Sequence, residues 1–135
     1  MNRMQFKDML RNKEEDRLLK SFECLIKIGK FNTADLYADG FGIEKDIRNK
    51  VIKKIYSNYI NSIDLIIKEE LVDINKHKIS EINEKLRFSK KLSEHYTFLN
   101  IKKLDEAINS TFNFYYKHYD YISKTKQEGI RKIQQ

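Results

Sequence analysis

Not one proline interrupts the 135 residues of this chain. Proline breaks helices most firmly, because it lacks a backbone N–H and clashes with the preceding turn. Without it a helix ends only where glycine or a polar turn ends it, and the chain holds just four glycines. Long helices are therefore the expected material, and the apolar residues recur accordingly. In "NKEEDRLLKSFECLIKIG", Leu18, Phe22, Leu25 and Ile26 keep helical spacing, and Gly29 is a candidate stop. "NTADLYADG" fits a shorter helix capped by Asn32 or Thr33 and ended by Gly40.

The longest pattern is "DIRNKVIKKIYSNYINSIDLIIKEELVDI". There Ile47, Val51, Ile55 and Tyr59 recur every four residues, and Ile52, Tyr56, Ile60, Ile63 and Ile67 widen the stripe. After a polar break at "INKHK", Ile79, Ile82, Leu86, Leu92, Tyr96 and Leu99 fall near one face, diluted by Ser89 and Ser93. Asn100 separates that run from a last one, whose stripe reads Leu104, Ile108, Phe112, Tyr115, Tyr119 and Ile122. No strand-like alternation persists. The expected fold is all-α: an antiparallel bundle of about four main helices plus one short helix. A single domain over 1–135 is expected, with a frayed tail at 123–135.

Charge narrows the partners. The net charge is +7, and residues 76–135 carry 13 Lys/Arg against 7 Asp/Glu. Such a balance suits an acidic partner, either nucleic acid or an acidic protein surface. Cys24 is the lone cysteine, which excludes an internal disulfide and favours a cytoplasmic setting. Its position on an apolar helix reads as core. No apolar run reaches the roughly 20 residues of a membrane span, so no membrane partner is expected.

Catalytic chemistry is not legible. His77, His95 and His118 are scattered, and no His-x-x-x-His or Cys-x-x-Cys spacing occurs. His118 and Asp120 are two apart, hence on different sides of a helix. Neither a metal, a cofactor nor a catalytic residue is expected, and the chain reads as a non-enzyme.

One stretch departs from generic helix: "LYADGFGIEKD", residues 36–46. A dinucleotide fingerprint needs a third glycine and a preceding strand, and a P-loop needs Gly-Lys-Ser/Thr. Here Gly42 is followed by Ile-Glu-Lys-Asp, so acids stand where an anion would bind. A helix-turn-helix fits better, with Ala38, Gly42-Ile43, Ile47 and Ile52 as its frame. Its second helix would present Lys45, Arg48, Asn49 and Lys53 to DNA.

"NTADLYADGFGIEKD" also resembles the bend of Sel-one-like repeats, short relatives of tetratricopeptide repeats. Ala34, Tyr37, Gly40, Gly42, Ile43, Lys45 and Asp46 match that signature in order, over roughly 15 residues. Lys50 stands where the repeats carry a small residue, and no second copy follows. The resemblance implies a structural bend built on Tyr37, Gly40, Gly42 and Asp46, and a protein-binding role.

Two surfaces remain. In "FNFYYKHYDY", Phe114, Tyr116 and Tyr121 fall off the core stripe, and Lys117 stands beside them. These are the candidate residues of a protein interface, including one between copies of this chain. "KLRFSKKLSEH" sets Lys85, Arg87, Lys90 and Lys91 around Phe88, a second anion-facing strip for the nucleic-acid reading. The expected function is a non-enzymatic accessory protein, of the kind phages or mobile elements encode, that binds another protein. A DNA-binding regulator is the alternative.

Overall fold

A computed structural model describes residues 3–69 and 76–118. The chain is all-α: α1 (Arg3–Lys27), short α2 (Phe31–Gly40), α3 (Lys45–Lys68), α4 (Lys76–His95) and α5 (Ile101–Lys117). No strand occurs among the described residues. The tail expected to fray, 123–135, lies outside them. The chain divides into two compact units, Met1–Tyr56 and Ser57–Gln135, with α3 running from one into the other.

In the first unit α2 packs against α1. Phe22 and Ile26 of α1, and Ala34 and Ala38 of α2, have no exposed surface, and the two alanines let the helices approach closely. Both turns end in the same device. At the end of α1 the Lys30 N–H donates to the Leu25 carbonyl and the Gly29 N–H to that of Ile26, with Gly29 at φ 82°. At the end of α2 the Ile43 N–H donates to the Ala38 carbonyl and the Gly42 N–H to that of Asp39, with Gly42 at φ 67°. These are Schellman caps, in which a left-handed residue folds the chain back over the last carbonyls. The "G-F-G" bend is thus a helix stop made by its second glycine. Gly40 is helical and takes no positive φ.

One cap expectation needs correction, and the place of Asp46 in the bend becomes clear. α2 starts at Phe31, after Lys30, which makes no side-chain cap bond, so neither Asn32 nor Thr33 caps it. α3 starts at Lys45, before Asp46, which therefore lies inside the first turn. There its carboxylate favours the positive end of the helix dipole without capping it.

The second unit takes the end of α3 with α4 and α5. Tyr59 and Phe88 stack at 4.4 Å between ring centroids, and the Lys85 ammonium donates to the Ser62 hydroxyl, joining α3 to α4. α4 and α5 form a hairpin. Asn100 caps α5 by accepting from the Lys102 N–H at 3.0 Å. Near the far end, the Tyr115 hydroxyl donates to Asn83 Oδ1 at 2.6 Å, which fixes the antiparallel register. Ser89, expected to dilute the apolar face of α4, is fully buried instead, and its hydroxyl finds no partner among the described residues. A small side chain is accepted there at the cost of one unsatisfied polar group.

Candidate interaction face on the last helix

α5 is rotated away from the stripe the sequence suggested. Leu104, Ala107 and Thr111 are buried, and Thr111 donates its hydroxyl to the Ala107 carbonyl at 2.8 Å. Ile108 and Phe112, expected in the core, are 40% and 72% exposed. Ile101 and Tyr116 complete the outward row at 58% and 80%. The four residues follow helical spacing, so they form one stripe along α5, interrupted only by exposed Asp105 between Ile101 and Ile108. Phe112 and Tyr116 stand one turn apart at its end.

The interface residues chosen from the sequence separate accordingly. Tyr116 and Lys117 are exposed. Phe114 is half-buried, with its ring 4.7 Å from that of His118 and 6.0 Å from that of Tyr115, so it belongs to the packed side. Tyr121, Tyr119 and Ile122 lie outside the described residues. The sequence missed Phe112 because Phe112 lies at a spacing that also suits the core. Ala107 and Thr111 were the available signal: two small residues one turn apart mark where a neighbouring helix can come close.

The basic residues also divide. Arg48 was expected to face DNA, but its side chain is 23% exposed and turned back onto the bend. Its Nε donates to the Ile43 carbonyl at 2.6 Å and its Nη1 to Asp39 Oδ1 at 2.8 Å. Arg48 thus clamps the end of α2 to the start of α3. Lys85 is likewise engaged, by Ser62 and by Glu81 at 3.1 Å. Lys45, Lys53, Arg87, Lys90 and Lys91 are exposed, and Asn49 is half-buried. Tyr37 of the bend is half-buried and stacks on exposed Phe41 at 4.7 Å. Cys24, expected in the core, is exposed.

A groove of about 300 Å³ opens in the first unit. Leu18 and Leu19 of α1 face Ile43 and Ile47 across it, with Glu15 and Glu44 among the residues of its wall. It brings together no nucleophile and base. Among the described residues, no group of three His, Cys, Asp or Glu side chains could hold a metal ion. No described helix is long and apolar enough to cross a membrane. Burial raises the Tyr115 phenol above its ordinary value, in keeping with its place between packed and open sides of α5.

No protein-family model, curated protein or solved structure matches the chain.

Proposed function

We propose that this chain is a non-enzymatic protein-binding module whose docking face is the outward stripe of α5. The observation that carries the reading is the pair Phe112 and Tyr116, 72% and 80% exposed on consecutive turns. Solvating two large aromatics side by side is unfavourable, and covering them is worth roughly 1.5–3 kcal/mol each. Aromatics so placed are the usual anchors of protein interfaces. Residues 32–46 support the same class of role, since the repeats they resemble bind proteins. The DNA-binding alternative loses support with Arg48 and Lys85, whose charges are used inside the fold.

The test is capture from nuclease-treated native lysate, with the parent chain and a Phe112→Ser/Tyr116→Ser variant. The parent should retain protein that the variant loses, while both melt within about 0.5 kcal/mol of each other, as exposed positions allow. Equal capture by both would refute the docking face. Retention of duplex DNA alone, weakening steeply with salt, would point to the nucleic-acid alternative.

A further inference from the structure

The α5 stripe is bordered on one side by a row of α4. Asn83, which receives the Tyr115 hydroxyl, shares its face with Arg87, Lys90 and Glu94 by helical spacing, and all four are exposed. In the antiparallel register set by that bond, Arg87 stands level with Thr111, Lys90 with Ile108, and Glu94 with Leu104. Asp105 stands within the stripe itself, between Ile101 and Ile108, and is exposed. No ion pair engages Arg87, Lys90, Glu94 or Asp105 among the described residues. The carboxylates of Glu94 and Asp105 lie toward the start of α5, with exposed Lys102 beside Asp105, and the cations Arg87 and Lys90 lie toward its middle and end.

We infer that the occupant of this face is a second copy of the same chain, its α5 antiparallel to the first about a two-fold axis near Ile108. The inference rests on the docking reading above and names its partner. A two-fold axis lying in the interface and perpendicular to α5 reverses the helix and keeps α4 over α4. It brings Ile101 against the partner's Tyr116, and Ile108 against the partner's Ile108. The end that carries the two carboxylates then meets the Arg87 end of the other copy, so that Arg87 faces the partner's Asp105 and the partner's Glu94. The two Lys90 side chains lie near the axis at the solvent rim, where their long stems turn outward. A parallel pairing would instead set Asp105 against the partner's Asp105, which like-charge repulsion disfavours.

The four stripe residues leave on the order of 500 Å² uncovered per copy, so their complete burial gives about 1,000 Å² for the pair, and the α4 row must contribute to reach the usual size of a specific interface. An isologous contact of this kind closes on itself as a dimer.

Sedimentation velocity across a concentration series tests the pairing, with circular-dichroism melts confirming that each variant folds. The parent should be a dimer that dissociates on dilution, and Phe112→Ser/Tyr116→Ser should be monomeric. Asp105→Lys and Arg87→Glu should each weaken the dimer about tenfold, and combining them should restore most of the affinity. A parent chain that stays monomeric up to its solubility limit overturns the inference. If that monomer still captures a different protein through Phe112 and Tyr116, the docking face stands and only its occupant is wrong. A dimer indifferent to both charge reversals overturns the antiparallel register.

Discussion

The bend between α2 and α3 and the outer face of α5 were the two conspicuous features of this chain, and the fold treats them oppositely. At the bend the groups with functional potential satisfy one another. Gly42 takes the left-handed conformation, Ile43 is buried with its N–H on the Ala38 carbonyl, and Arg48 donates to the Ile43 carbonyl and to Asp39. On α5 the buried side is made of Leu104, Ala107 and Thr111, and Ile108, Phe112 and Tyr116 are left facing solvent. A cation whose donors are already used has little left for a ligand, whereas an uncovered aromatic pair retains its full interaction energy. Functional potential lies in what the fold leaves unsatisfied, and conspicuous sequence is a poor guide to it.

The sharpest way to break this contrast is at Gly42. Gly42→Val should cost about 1–3 kcal/mol, since a β-branched residue resists positive φ. That cost comes from the backbone conformation, since a Cβ at Gly42 meets nothing within 4 Å. Gly40→Ala should be neutral or stabilise by up to about 1 kcal/mol, because Gly40 is helical with open space around it. Chemical denaturation of both variants measures the asymmetry. Equal losses at the two positions would mean that the bend is not a Schellman cap.

Next in size is the Arg48 clamp. Arg48→Ala should cost about 1–2 kcal/mol, the worth of charge-assisted bonds at a partly screened site. Arg48→Lys should recover less than half of it, because an ammonium cannot reach the Ile43 carbonyl and Asp39 together as the guanidinium fork does. Thermal melts of the two variants decide this. A lysine variant as stable as the parent would reduce the clamp to simple charge.

The smallest effect belongs to Tyr115, at the boundary of the packed and open sides of α5. Its phenol ionises at higher pH in the folded chain than the ordinary value of about 10. The folded state therefore holds this proton after the unfolded state has released it. The corresponding stability is complete below pH 10 and is lost as pH rises through the folded value. Tyr115→Phe should remove this part of the alkaline loss while costing no more than about 1 kcal/mol at neutral pH, as Asn83 is exposed and regains water. Denaturation at pH 7 and above pH 10 tests it, and identical alkaline slopes in parent and variant would contradict it.

How far these features were legible depends on the range of the forces that make them. The helices themselves were local matters. Apolar spacing, the absence of proline, Gly29 as a stop and Asn100 as a separator gave four long helices and one short one. A glycine-made bend at "ADGFG" is likewise a local matter, although only the folded turn decides that Gly42 and not Gly40 takes the left-handed conformation. What the sequence could not decide was which part of a wide apolar arc another helix would cover. On α5 the arc from Leu104 round to Tyr116 is wider than one neighbour can cover. The choice fell to Ala107 and Thr111, because small side chains let helix axes approach toward the short end of the usual range of about 8–10 Å. That turned Phe112 outward and Phe114 inward. Nor could it show that Arg48 would find the Ile43 carbonyl, since that carbonyl is brought within reach only once the Schellman cap has closed. Periodicity selects the faces a helix can bury, and only packing against a neighbour selects the one it does.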